Sequence, residues 1–356
     1  MRRFFRILLA LLLIVSFPQP TYAWGYAGHR IINDAAIDAM PPEVTAFFKA
    51  HRQYLVEHSS DPDLAAEDNE VEARNHYIDL DLLDEPPFKN IPHDWDEAVK
   101  KFGYEKMLGV GRLPWRIEEM TKKMSDAMKA GDWEKTLAIA AWLSHYVADA
   151  HMPLHTTKNY KGQFTGNVIN EDLPTEDKHV HFRFEIGLIE RNLEEFRGSM
   201  RRRTRPATFL ENPEEKTWQI LLDSYNDIDD LLKADLECGK VDPTFGDKFY
   251  EAFKGQVGGM AAERLAASAQ AVASFWYTAW VNAGRPRLPR ERIEVDDTVT
   301  GQLHESPLYF ASVESQVFHY RDCPHIQQIR RSNLIWFWKR DDAINSGRRP
   351  CKGCQP

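Results

Sequence analysis

Histidine and carboxylate recur at one interval in this chain. His145 and Asp149 stand four residues apart in Leu143-Ser-His-Tyr-Val-Ala-Asp149-Ala-His-Met-Pro-Leu-His155, and His181 and Glu185 repeat the spacing. On a helix, residues i and i+4 share a face, so each pair can turn an imidazole nitrogen and a carboxylate oxygen toward one point. Both are good zinc ligands, and a carboxylate can bridge two ions. Pro153 should end or bend the first helix and let His155 turn back to the same centre. His76, in Arg74-Asn-His-Tyr-Ile-Asp-Leu-Asp81, and Asp63, in Ser60-Asp-Pro-Asp63, are further ligands of suitable type. A single His/acid pair is commonly a surface ion pair or a cap. Two such pairs with a third downstream histidine point to a metal site.

The N-terminal region adds a ligand of another kind. Arg2, Arg3 and Arg6, an apolar run over residues 8–15 and a small-residue Thr21-Tyr-Ala23 site read as a secretory signal over residues 1–23. Its removal would leave Trp24 first, with a free α-amino group beside a carbonyl oxygen, and His29 five residues on. Not all thirteen histidines fit a metal site. His51, His58 and His93 lie among charged residues and are expected to be solvated. His151 points differently from His145. His179 has Arg183 where His181 has Glu185.

The surrounding elements are read from periodicity. Apolar residues recur at helical spacing over 31–40, 107–128, 133–147, 218–236 and 260–280, so residues 24–283 read as an all-α domain. Pro41-Pro42, Asp61-Pro62 and Glu85-Pro-Pro87 mark loops, and residues 159–178 a long surface loop. Residues 284–306 hold little that could build a core and read as a linker. Residues 307–356 read as a small α+β module, with strands at 309–311 and 317–320 and one helical turn at 341–345. The 356-residue chain carries net charge -9, and -12 once the three signal arginines are gone. This argues against a general affinity for nucleic acid backbones or anionic lipid, but allows a polyanionic substrate whose charge is met by metal ions. No segment approaches the roughly 20 apolar residues of a membrane helix, so an exported protein without stable membrane insertion is expected, periplasmic or secreted. No feature indicates a protein partner.

Trp24 with His29, the Pro62-Asp63 pair, Asn75-His-Tyr-Ile-Asp79, His145 through His155, and His181-x-x-x-Glu185 together resemble the zinc-dependent phospholipase C and single-strand nuclease superfamily. The closing Ser274-Phe-Trp-Tyr-Thr-Ala-Trp-Val-Asn-Ala-Gly284 is similar to the last helix of bacterial members. The resemblance implies an all-α fold with three zinc ions in a cleft. One would be held by Asp63, His76, His145 and Asp149. The second would lie between His155, His181 and Glu185. The third would take the amino and carbonyl groups of Trp24, with His29 and a shared Asp149. Asp61 also precedes His76, but the family's Pro-Asp pairing favours Asp63, which would orient or deprotonate the attacking water. The implied reaction is phosphodiester hydrolysis, of phospholipase C type by the glutamate at 185. A nuclease acting on single-stranded DNA or RNA is the alternative, since the Trp24-to-His29 spacing is nearer the nuclease pattern. A non-catalytic zinc-binding protein is a further alternative. The basic run Arg197–Arg205 could attract phosphate or be a solvated face.

The module carries its own ligand pattern. His319-Tyr-Arg-Asp-Cys323 and Cys351-Lys-Gly-Cys354 supply one histidine and three cysteines, a closed structural zinc set, and so small a region has little core without a metal. A disulfide is the competing reading; it leaves Cys323 odd unless that residue pairs with Cys238. Residues 318–356 resemble the metal-binding module of the Ada DNA repair protein, with His319 standing where that module begins with cysteine. Eight basic residues against three acids, with Trp336-Phe-Trp338, make the module either a nucleic-acid or ligand surface or simply an aromatic core.

Overall fold

The computed structural model describes residues 24–67, 69–167, 179–301, 303, 307–330 and 333–356. The expected signal at 1–23 lies outside the described residues, as do 168–178 of the expected loop and 302 and 304–306 of the expected linker. The helices run α1 Gly25–Asp38, α2 Pro42–Ala50, α3 Arg52–Glu57, α4 Asp61–Ala66, α5 Glu70–Ala73, α6 Trp95–Phe102, α7 Tyr104–Gly109, α8 Leu113–Ala130, α9 Trp133–Ala150, α10 Val180–Phe182, α11 Leu188–Arg191, α12 Leu193–Arg203, α13 Pro213–Tyr225, α14 Ile228–Val241, α15 Asp247–Asn282, α16 Asp297–Gly301 and α17 Arg340–Asn345. An all-α body is followed by a small α+β module, as expected.

The body is organised around α9. Asp132 caps its start by accepting from the Lys135 N–H, and Gly131, left-handed at φ 73°, ends α8 one residue earlier. Residues 136–150 of α9 are all buried, the mark of a helix at the centre of a domain. The 36-residue α15 packs along α1, α8, α9, α12 and α14. Trp276 of α15 donates its indole N–H to the Ala140 carbonyl at 3.0 Å and stacks on Phe48. Each such fully buried aromatic contributes roughly 2–3 kcal/mol of transfer free energy.

Several expected boundaries move. The periodic stretch 107–128 is broken between α7 and α8 at Gly111, which has φ 92°; a Cβ there would stand 2.1 Å from the Tyr77 carbonyl oxygen. The stretch 218–236 divides into α13 and α14 at Asn226-Asp227. Asp61-Pro62, read as loop punctuation, opens α4, because proline is tolerated where the first helical N–H has no partner. His51, expected to be solvated, is buried. Its Nδ1 donates to the Phe47 carbonyl and its Nε2 accepts from the Ile293 N–H at 2.9 Å. The stretch expected as a linker supplies that cover: Ile293, Val295 and Val299 pack on the body and Leu303 is buried.

The module is a four-stranded sheet in the order β3-β1-β2-β4, with β1 Tyr309–Ser312, β2 Val317–Tyr320, β3 Leu334–Phe337 and β4 Arg349–Pro350. β1 pairs antiparallel with both β2 and β3, whereas β2 and β4 are parallel with Phe318 opposite Pro350. That pairing carries Cys351 to the side of His319.

Candidate metal centre

The segment 74–79 is stitched in place by backbone bonds. Arg112 N–H donates to the Arg74 carbonyl, Leu113 to Tyr77, and Asp79 to Val110. On its other side Ile78 N–H donates to the His155 carbonyl at 2.9 Å. These bonds hold His76 against α9 and against the 3-10 turn Pro153–Thr156, where Pro153 does bring His155 back toward the centre.

Three groups result. His29, His145 and Asp149 form one; Asp63, His76 and His145 the second; His155, His181 and Glu185 the third; within each, a ligand atom from every residue lies within 4.8 Å of the others. All are buried. Asp149 joins the groups: its carboxylate lies 3.5 Å from His29, 3.1 Å from His76, 3.4 Å from His145 and 3.9 Å from His155. Asp61, by contrast, pairs with half-exposed His58 at 2.8 Å, away from the groups.

The tautomers suit metal ligation. His145 gives its Nδ1 proton to the Ser59 carbonyl at 2.9 Å and His155 gives its own to the His76 carbonyl at 2.6 Å, which leaves each Nε2 with a lone pair turned toward the other ligands. His155 Nε2, His181 Nε2, Asp63 Oδ2, Asp149 Oδ1 and Glu185 Oε2 are buried without a hydrogen-bond partner. So many orphaned acceptors around one cleft cost free energy unless a cation binds them. The residues present therefore fit zinc. The electrostatics agree. Burial pushes His76 down, yet Asp149, Glu72 and Asp63 outweigh it and hold it at about 10. Burial, with Asp63 and Asp149 nearby, drives Glu185 well above the usual carboxylate range. Burial and then the His181 charge hold His155 well below its ordinary value, and burial with Lys161 brings His181 to about 3.

His181 and Glu185 stand 3.1 Å apart, but not on a regular helix. α10 passes into a π-helical turn, Arg183–Gly187, before α11. A buried bidentate pair anchors that turn, Arg183 donating to both Asp235 oxygens at 2.7 Å. Trp24 is fully buried; its indole donates to the Ala148 carbonyl at 2.9 Å, and its backbone N–H reaches the Glu185 carboxylate. His151 donates to Val147 and takes no part in the groups; His179 caps α10. In the basic run, Arg201, Arg202 and Arg203 lie exposed on α12 and do not line the cleft.

Sequence reasoning missed four cleft or supporting residues. Glu72 is buried behind His76, 3.7 Å from its Nε2, and also meets Tyr146 and Arg116. It stands four before His76, the same interval that flagged the other pairs. Tyr77, Asp79 and Tyr160 line the cleft of about 250 Å³ with Asp63, His76, His155 and His181. Burial and then Asp81 raise Asp79 to about 7.

In the module, His319, Cys323 and Cys351 come together as expected, and His325 joins them. The Cys354 thiol lies in hydrogen-bond reach of Cys323 and Cys351, and accepts from the Tyr320 N–H at 3.4 Å. The cysteines are free thiols, and Cys238 is buried in the helical core, which excludes its pairing with Cys323 here.

Among the described residues no helix is long and apolar enough to cross a membrane. No curated protein matches the chain. The family model for S1/P1 Nuclease matches residues 24–237, a span that opens on Trp24 and contains all three groups. The chain belongs to the S1/P1 nuclease family and is a zinc-dependent hydrolase of phosphodiester bonds.

Proposed function

We propose that the protein cleaves single-stranded nucleic acid, with three zinc ions held by the residues of the three groups and Trp24. The observation that carries the substrate choice is the cleft wall: half-buried Tyr77, Tyr160 and Asp79 line it together with the ligands. Base–aromatic stacking contributes about 1–3 kcal/mol per base, and a carboxyl can bond a base edge. A base must be unpaired to enter so narrow a space.

Zinc, when bound, lowers the pKa of water toward ~7 and draws charge from the phosphoryl oxygens. Asp63, on the cleft wall with one oxygen uncommitted, orients the attacking water and takes its proton. Asp149 ties two of the groups together. Trp24 contributes its α-amino and carbonyl groups once residues 1–23 are removed during export. His319, Cys323, Cys351 and Cys354 hold one structural zinc in the module, with His325 as a fifth donor at hand.

The phospholipase C reading keeps one observation in its favour, the glutamate at 185. Incubation of the mature chain with single-stranded DNA, RNA and phosphatidylcholine, with and without a chelator, decides. Chelator-sensitive cleavage of nucleic acid is expected. Hydrolysis of the lipid alone would overturn the substrate assignment.

A further inference from the structure

The module is joined to the body by more than the covalent chain. Val71, Tyr104 and Leu108 of the body share one apolar core with Phe318, Trp336 and Phe337 of the module, and Tyr104 stacks on Phe337 at 4.6 Å. From that core a line of polar contacts runs to the catalytic cleft. The Arg112 guanidinium lies 3.9 Å from the centre of the Trp338 ring and 5.2 Å from that of Trp95. Its Nη1 donates to Asn75 Oδ1 at 3.3 Å; Asn75 Nδ2 donates to Glu72 Oε2 at 3.3 Å; Glu72 Oε1 faces His76 Nε2 at 3.7 Å. Arg112, Asn75 and Glu72 are all buried. A parallel contact sets Arg74 over Trp336 at 5.2 Å.

From this line we infer that the C-terminal module positions His76: Trp338 fixes the Arg112 side chain, which holds Asn75 and through it the Glu72 carboxylate against the His76 ring. The inference rests on the proposed role of His76 as a zinc ligand. Its physical basis is that a cation held over an aromatic face is attracted by the ring's negative face, and that groups orienting a metal-bound histidine set metal affinity. Trp338 and Arg112 are positioning residues, since neither lines the cleft. The outer surface of the module is then not needed for this role; its aromatic inner face is.

The test uses the full mature chain titrated with cobalt(II), whose thiolate charge-transfer band reports the module and whose d–d absorption, once the part that rises with that band is subtracted, reports the histidine–carboxylate groups. Trp338→Ala is expected to need about tenfold more cobalt to fill the histidine–carboxylate groups, with the thiolate band retained. Trp338→Phe, which keeps an aromatic face, should return the midpoint to the wild-type value. Lys339→Ala, which removes only an exposed ion pair to Asp96 across the same junction, should not move it. A lowered melting temperature in Trp338→Ala with an unmoved cobalt midpoint overturns the inference. If Trp338→Ala loses the thiolate band, Arg112→Lys, which keeps the charge but not the bond to Asn75, decides: an unmoved midpoint overturns. A wild-type chain that binds no cobalt outside the module defeats the proposed metal reading, before any variant is compared.

Discussion

Glu72 and Asp149 grip His76 from opposite sides, Glu72 at 3.7 Å from Nε2 and Asp149 at 3.1 Å from Nδ1. One carboxylate lies among the cleft ligands and the other behind the ring, where Arg116 at 3.8 Å and Tyr146 also reach it. Burial works against charge on Glu72, yet Arg116 first, and then His76 and Tyr146, hold it at about 2. Glu72→Gln keeps the shape and removes the charge. Zinc affinity measured by chelator competition should fall ten- to hundredfold. Stability should fall by on the order of 3 kcal/mol, because Arg116 remains fully buried with a weaker partner. Unchanged zinc affinity would mean that Glu72 serves packing alone.

The Asp149 carboxylate reaches His29 of one group and His76 of another, whereas His155 belongs to one group. Metal analysis of purified variants separates them. Asp149→Ala should lose more than one zinc per chain, and His155→Ala no more than one. Equal losses would count against a shared carboxylate.

Trp24 is fully buried, with its backbone N–H at Glu185. A single residue left before Trp24 converts the amine to an amide and removes its lone pair. That protein should fold with the same melting temperature to within a few degrees, bind one zinc fewer and hydrolyse at least tenfold more slowly. If its rate equals that of a chain beginning at Trp24, the amino group is no ligand.

His51, which does not line the cleft, gives an acid-labile contact. Burial lowers its pKa below 6.5, with the nearby Arg292 charge adding to the effect and the bond to Phe47 opposing it. As pH falls, the unfolded chain takes up a proton before the folded chain does. The neutral ring therefore contributes full stability above pH 6.5 and loses it as pH falls below that value. Denaturant midpoints between pH 7.5 and 5.5 should decline. In His51→Leu the decline should be shallower, from a start about 1–2 kcal/mol lower because the Ile293 N–H loses its acceptor. An identical slope in both proteins would exclude His51 as a source.

Asp235 holds the π-helical turn through Arg183 and also accepts from Asn167 at 2.7 Å. Asp235→Asn should cost on the order of 3 kcal/mol and speed hydrogen exchange over Arg183–Gly187. Faster exchange spread evenly over the whole body would instead indicate general destabilisation.

Much of the site was legible because its ligands lie on regular helix. His145 and Asp149 follow from the 3.6-residue period of an uninterrupted α9, and Pro153 foretells the return of His155. The pairing of His181 with Glu185 was legible, but the π-helical turn between them was not; equal spacing does not distinguish turns of different width. Local reading failed where a distant segment provides the cover. His51 has Lys49 and Arg52 close by in the chain, and the distant Ile293, whose N–H meets the ring, is part of the cover that no local pattern shows. Glu72, four before His76, and His325, two after Cys323, carry the signal in their spacing alone. The contact of Trp338 with Arg112 joins residues over two hundred positions apart, which no local pattern encodes.

The family match ends at residue 237, inside α14, and α15 lies beyond it. Yet α15 closes the flank of α9, with Trp276 seated on Ala140. The recognisably related stretch and the stretch that must fold together thus have different lengths. A fragment trimmed to the former would leave α9 facing water along one side and should aggregate. Stopping at 283 would still bare Val71, Tyr104 and Leu108. For anyone transplanting or shortening this enzyme, the portable piece has to carry α15 and the sheet of the module along with the ligands.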